Sequence, residues 1–503
     1  MDSKPRTPLG GAASRREWGL TIAAAFAISA AYLAVEVPLS NIDDYNILPF
    51  GRDYLAALWS LIASDAGNGR ARPLYWILEG ALGAATGTSG TVLLFGRLTF
   101  LVGALVLLVR TARALGAPPW LAVLLAASVG WSLPAKDTWA RGGPAEAFAV
   151  PLALLATWLV LRAESARHVA LAGLVGLAAA CAKESMAPWT AAALLAWGFA
   201  SVLSGGPWRA RGIALLGAAT QLLPALVALA TRAGGSTSYL EYVAVSLNVG
   251  PLNALRAVAD RASLAALLAV AGLAAVGARL ARRAPREWAR ADLVVLACFA
   301  AVALEGVTMG FAVDRYHLPF VVTAALLAAR AAHGWEGWPR ARSLAAGFLL
   351  LGIPVLALMG YRTYLDVRLW LADSRADARL RELVATGLRM HGGLQILWPP
   401  PDVECAIGAI AHLRAAGVVG DVQLLPCGPY PAGAEKMYAG LFAPYSRPAG
   451  GAGPRIVATG CLQGQGVPSL ESVRFLVLPS LYGQPVGRYH YALPEKAIVS
   501  WGR

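Results

Sequence analysis

Apolar runs close to twenty residues long recur along this chain, and they constrain its fold more than any other feature. They cover residues 19–38, 91–109, 118–134, 144–161, 168–182, 187–203, 211–230, 263–280, 292–312, 317–332 and 343–360. About 20 apolar residues make a helix long enough to cross a bilayer, and in lipid every backbone polar group must be satisfied within the span. Hydrophobic residues make up 57% of the 503 positions and charged residues only 14%, outside the range of soluble domains. The expected fold is therefore an α-helical polytopic membrane protein with about eleven transmembrane helices.

The charge pattern sets the expected orientation. The net charge of +14 is not a nucleic-acid signal, because most of the arginines fall in short connections between apolar runs, where they orient spans. With a cytoplasmic N-terminus, the even-numbered connections carry Arg110 and Arg113, Arg162 and Arg167, Arg209 and Arg211, then ARLARRAPREWAR and GWEGWPRARS. Each of these then obeys the positive-inside rule. The basic start followed by an apolar core reads as an uncleaved first helix rather than a signal peptide, since the apolar run reaches Val37 without a small-residue cleavage site. The expected location is the inner, or plasma, membrane of the cell, crossed many times.

On this topology the first loop, residues 39–90, is exoplasmic and contains two short apolar stretches, DYLAALWSLIAS and PLYWILEGALGAA. Both are too short to span and rich in Trp and Tyr, so they are expected to lie in the interface. A second exoplasmic loop, 231–262, reads as amphipathic. The transmembrane domain is expected over 1–362 and a small exoplasmic α/β domain over 363–503, with strands at LQILW, DVQLLP and RFLVLPS around the helix CAIGAIAHLRAAG. Cys181 and Cys298 sit in apolar runs and read as packing residues. Among Cys405, Cys427 and Cys461, one disulfide and one leftover thiol are expected.

Charges gather at the exoplasmic ends of the spans. Asp43 and Asp44, in NIDDYN, lie just beyond the first apolar run, where a carboxylate is suited to general-base work or cation binding; the plainer alternative is a solvated loop start. Lys136, Arg141, Lys183 and Arg315 run against the positive-inside preference. Either they pair locally, with Asp137, Glu184 and Asp314 beside them, or they converge as a clamp for a phosphate. Tyr75, Trp76 and Trp139 read as belt aromatics that can also stack on a sugar, and His317 as a helix-start residue or proton carrier. Glu79 and Asp53 read as polar faces of interfacial helices, and Glu305, inside a span, needs a partner.

The order of these features resembles the GT-C glycosyltransferases, polytopic enzymes that take a sugar from a polyprenyl-phosphate carrier and include the protein mannosyltransferases and the lipid A aminoarabinose transferase. The likeness runs from an acid pair after the first helix, through RPLYWILEGALGAATGTSGTVLLFGRLTFLVGALVLLVRTARALG and KDTWARGGPAEAFAVPLALLATWLVLRA, to GLVGLAAACAKES, roughly residues 15–335. The resemblance implies inverting transfer to an exoplasmic glycan, lipid or protein acceptor, with Asp44 or Asp43 as base. It also implies Lys183, Arg141 and Arg315 near the carrier phosphate. Some members bind a divalent cation through loop acids, a role open here to Asp43, Asp44 and Asp137, although the Asp-x-Asp of the metal-dependent branch is missing. A transporter or lipid flippase, and a non-catalytic scaffold of the same architecture, are the competing readings; mid-span charges would favour the transporter.

Overall fold

The computed structural model describes residues 14–34, 37–39, 48–50, 53–67, 69–87, 89–140, 143–231, 251–285, 288–309, 314–333, 341–400, 403–430, 435–446, 455–458, 473–477 and 498–500. The expectations for Asp43, Asp44 and Arg141 lie outside these residues.

The chain is a helical membrane protein. Its helices are α1 (Arg15–Ser29), α2 (Tyr54–Gly67), α3 (Pro73–Thr86), α4 (Gly90–Ala114), α5 (Pro119–Gly130), α6 (Leu133–Trp139), α7 (Glu146–Leu161), α8 (Ala166–Ala182), α9 (Ala187–Leu203), α10 (Trp208–Thr220), α11 (Leu223–Thr231), α12 (Pro251–Ala281), α13 (Arg290–Met309), α14 (Leu318–Ala331) and α15 (Ala341–His391). Helix starts follow the local sequence. Ser14 and Glu17 form a capping box, Ser89, Ser132 and Ser165 cap α4, α6 and α8, and prolines open α3 and α5.

Among the described residues, five segments are both long and apolar enough to cross a membrane: Gly90–Ala114, Glu184–Leu203, Trp208–Val227, Asp260–Ala281 and Leu349–Arg368. Pro119–Gly130, Glu146–Leu161 and Ala166–Ala182 are apolar but shorter. Polar punctuation cuts them: Ser132 and Ser165 start new helices, and Lys183 leaves helical geometry at φ −153°. Leu215, Leu216, Leu267, Val270, Leu350 and Leu351 point outward and exposed. Such a surface would be a liability in water and is the normal outer face of a bundle in lipid.

At the centre of the bundle stands α14, buried along nearly its whole length and packed on α4, α5, α12 and α13. One end of the bundle is tied by a buried ionic knot. Arg330 donates to both carboxylate oxygens of Asp292 at 2.8 and 3.1 Å and to Leu115 O at 3.2 Å, while Arg279 donates to Asp292 Oδ1 at 3.0 Å and to Arg330 O at 2.9 Å. The knot joins α12, α13 and α14 to the end of α4. The chain turns beside it at Gly116, whose φ of +94° is left-handed and open to glycine.

The last apolar helix does not stop at the expected domain boundary. No proline follows Pro354 inside α15, so its 51 residues run on for about 77 Å at 1.5 Å per residue. The far half of α15 packs with α16 (Val403–Ala415) and β1 (Gly393–Trp398) around a second core containing Leu383, Val384, Leu388, Leu394, Ile396, Trp398 and Ile410. β1 alternates half-buried and buried positions, as a strand packed on one face does. The sheet also holds β2 (Asp421–Pro426), β3 (Arg455–Ala458), β4 (Val473–Val477) and β5 (Ile498–Ser500), in the order β2-β1-β3-β4-β5. All pairs are parallel except β4 with β5. A further helix, α17 (Glu435–Phe442), was not foreseen. Cys405 is a free thiol, whereas Cys427 is disulfide-bonded.

Because Asp292 neutralises two arginines inside an apolar bundle, Asp292→Ala is expected to destabilise the protein by about 3–5 kcal/mol, the cost of leaving a buried charge uncompensated. A clear drop in the thermal midpoint of the detergent-solubilised protein would show it; an unchanged midpoint would mean the knot carries no stability.

Candidate functional site

The bundle end opposite the Asp292 knot receives the first loop, and three ionic groups are built into it. The first joins α3 to α4. Arg97 donates from Nη2 to Glu79 Oε1 and Oε2 at 2.8 and 2.7 Å, and neither side chain has any exposed surface. Arg97 Nη1 donates to Pro144 O at 3.2 Å, Gly143 N donates to Glu79 Oε1 at 3.2 Å, and Tyr75 Oη donates to Gly143 O at 2.7 Å. This pair therefore pins the connection between α6 and α7 from below. Reading Glu79 as the polar face of an interfacial helix is overturned: the bidentate arginine and backbone partners offset its desolvation.

The second group holds α2 against α3. Asp65 accepts from Arg72 Nε and Nη2 at 3.1 and 3.0 Å and from Trp76 Nε1 at 2.7 Å. Asp53 caps α2, accepting from Ala56 N at 3.0 Å.

The third group gathers the cations that the sequence singled out. Lys183 sits where α8 ends, before the turn Glu184–Met186. Its Nζ lies 3.2 Å from Glu146 Oε1 and 4.8 Å from the centre of the Tyr316 ring. Arg315 stands over the same ring at 5.4 Å. Its backbone N donates to Asp137 Oδ2 at 3.1 Å, and its Nη1 lies 4.0 Å from that oxygen. Glu146 opens α7, where the helix N-terminus favours an anion, and it is 1% exposed. Glu305 feels Lys183, Glu146 and Glu184, and Arg72 feels Glu184. The mid-helix acid thus belongs to this same cluster, which draws on α6, α7, α8, α13 and the turn Asp314–His317. Lys183 and Arg315, in that order of importance among the cations, hold the Tyr316 phenol below the usual tyrosine range against the opposing effect of burial.

Several expected roles change. Lys136 and Lys183 do not pair with their sequence neighbours: Lys136 bonds Asp366 on α15 and Lys183 pairs with Glu146, while Arg315 reaches Asp137 and the side chain of Asp314 lies outside what the structure describes. Lys136, expected near the donor phosphate, instead ties α6 to α15. Tyr75, Trp76 and Trp139, expected to face a sugar, are buried at 2%, 6% and 1% exposure. Their polar atoms bond Gly143 O, Asp65 and Ala147 O inside the protein, so none presents a stacking face. His317 is likewise fully buried. Asp137 is engaged by Arg315, and among the described residues no group of three His, Cys, Asp or Glu side chains is arranged to hold a metal. Glu146 and Tyr316 were missed. Glu146 opens the apolar run after KDTWARGGPA and Tyr316 stands between Arg315 and His317, but an acid opening an apolar run reads equally well as a helix cap.

Described residues flank the first-loop acids in sequence. Leu39 and Leu48 share one small apolar cluster with Leu93 of α4, so the two flanks of residues 40–47 meet. Val37 N donates to Thr91 Oγ1 at 2.9 Å, and Gly90 lets the Val37 backbone pass where a Cβ would collide. No protein-family model matches the chain, and no curated protein is detectably similar to it.

Two outcomes follow. Glu79→Ala strands Arg97 and is expected to cost about 3–5 kcal/mol of stability, whereas replacing both residues with apolar ones of similar volume costs far less; thermal unfolding of the three proteins compares them. Lys183→Met removes the main cation facing Tyr316, so the tyrosine ionisation lost in Tyr316→Phe should move to higher pH in ultraviolet difference titrations. A titration that does not move would remove Lys183 from the electrostatics of this ring.

Proposed function

We propose that the protein is an integral membrane glycosyltransferase that moves a sugar from a polyprenyl-phosphate donor to an exoplasmic acceptor. The observation that carries this reading is the convergence of Lys183 and Arg315 on Tyr316, at the bundle end where the first loop, bearing Asp43 and Asp44, begins and ends. Eleven helices would cross the membrane, α1, α4, α5, α7, α8, α9, α10 with α11, α12, α13, α14 and α15. The arginine-rich end with the Asp292 knot would face the cytoplasm.

In this mechanism Asp44 or Asp43 accepts the proton of the acceptor hydroxyl, whose oxygen attacks the anomeric carbon from the face opposite the phosphate. The carbon–oxygen bond to the phosphate breaks, and its electron pair leaves with the carrier phosphate. Lys183 and Arg315 stabilise that developing charge, exchanging their internal partners Glu146 and Asp137 for phosphate oxygens. Such a site needs cations poised but not solvated, and a buried ammonium balanced by a carboxylate is that arrangement. Glu305 supports the same reading over a transporter, since Lys183, Glu146 and Glu184, which act on it electrostatically, belong to the end cluster.

The test is transfer of radiolabelled sugar from polyprenyl-phosphate donors in membranes with matched expression. Asp44→Asn or Asp43→Asn is expected to cut transfer by roughly two to four orders of magnitude, the usual worth of a general base. Full activity in both variants would contradict the assignment. Export of labelled lipid without sugar transfer would favour the flippase, and neither activity the scaffold.

A further inference from the structure

Where α15 leaves the bundle it grips the start of the first loop at two points. Arg368 Nη2 donates to Leu33 O at 3.4 Å, and Arg381 Nη1 to Leu39 O at 2.9 Å. Between Arg381 and the C-terminal domain lies an open groove of about 420 Å³. Its floor is one face of α15, where Arg381, Ala385 and Arg389 follow at intervals of four and so share a side of the helix. One wall is Pro38 and Leu39; the other is His412, Leu413 and Val418 from α16 and the turn after it.

The groove has a chemistry of its own. Two arginines and a histidine, Arg381, Arg389 and His412, line it beside one acid, Glu382. The walls between them are aliphatic. The small Ala385 keeps the space between the arginines open, while the backbone of Leu39 orients Arg381. Arginine forks match phosphate and carboxylate oxygens, and the apolar walls suit an uncharged body attached to such a group. The site is also well placed, because Leu39 belongs to the apolar cluster that closes the flanks of residues 40–47, and Ala415 of α16 packs against that cluster.

We propose that this groove binds the phosphate or carboxylate of an amphiphilic ligand and, resting on the glycosyltransferase reading, that this ligand is the acceptor. The C-terminal domain then selects the acceptor by supplying His412 and the outer wall. The donor cluster around Lys183 and the groove are separate anion sites, one for each substrate.

The full chain is placed in neutral phosphatidylcholine nanodiscs and irradiated with a diazirine-bearing alkyl phosphate, and the labelled peptides are mapped by mass spectrometry. Labelling is expected on 381–389 and 412–418. Arg389→Glu, at an exposed position on the groove floor, should reduce it roughly fivefold, the worth of one exposed charge contact, and Glu382→Gln should raise it. Competition by glucose 1-phosphate supports a soluble phosphate as the natural source, and competition only by phosphatidylglycerol in the disc supports a lipid headgroup. Equal labelling by the matching alkyl alcohol, labelling elsewhere, or labelling unaffected by Arg389→Glu overturns the proposal. Photolabelling needs no turnover, so its failure with transfer intact rejects the groove alone, and its success without transfer rejects the enzyme reading alone.

Discussion

A charge buried in an apolar bundle survives only beside a counter-charge, and this requirement organises the whole molecule. The cost of desolvating an ion is several kcal/mol even after relaxation, and among the described residues five sets of buried charges are each held by an opposite charge from another part of the chain. Arg97 has Glu79, Arg330 and Arg279 share Asp292, Arg72 has Asp65, Lys136 has Asp366 and Lys183 has Glu146. Helices that slide freely over one another in lipid, where no hydrophobic force drives them together, are fixed in register by these pairs. The two ends of the bundle are consequently rigid in different ways: one closed by a structural knot, the other assembled from three neighbouring ionic groups.

The second end combines tight pairs with longer contacts. Glu79 and Asp65 each bind their arginine through both carboxylate oxygens and also accept from a backbone N–H or an indole N–H. Lys183–Glu146 is a single contact at 3.2 Å, and Arg315 reaches Asp137 at 4.0 Å. In the proposed reading these are the cations that an incoming anion recruits, with the tight pairs as their frame. α15 extends that frame outward, through Asp366 to α6 and through Arg368 and Arg381 to the start of the first loop.

How much of this could be read from the sequence varied with the range of the interaction. Helix positions followed from local apolar runs, and β1, α16 and β2 from LQILW, CAIGAIAHLRAAG and DVQLLP, because each is set by neighbours a few residues away. The cations Lys136, Lys183 and Arg315 at span ends were also visible as departures from the positive-inside pattern. Their partners were not: Asp137 lies 178 positions from Arg315, and Lys136 is 230 from Asp366, and no spacing rule links residues so far apart. The adjacent acids invited local pairing, yet Lys183 is turned out of α8 by its extended backbone and meets α7 instead. Burial misled in the same manner, since the aromatic residues of the first loop read as belt residues while the ionic pairs beneath draw them into the core. The boundary near residue 362 was drawn where composition changes, but a helix ends at a breaker, and nothing stops α15 before Gly392.

The account turns on whether Lys183 and Arg315 form an anion site for a lipid-borne phosphate, and binding of polyprenyl phosphate to the protein in nanodiscs measures that most directly. Wild type should bind, and Lys183→Met and Arg315→Met should each weaken binding by about tenfold, in keeping with loss of a charge-assisted hydrogen bond, while Lys136→Met leaves it unchanged in protein that remains folded. Equal binding by wild type and both variants would contradict the account and leave the cluster as one more structural knot.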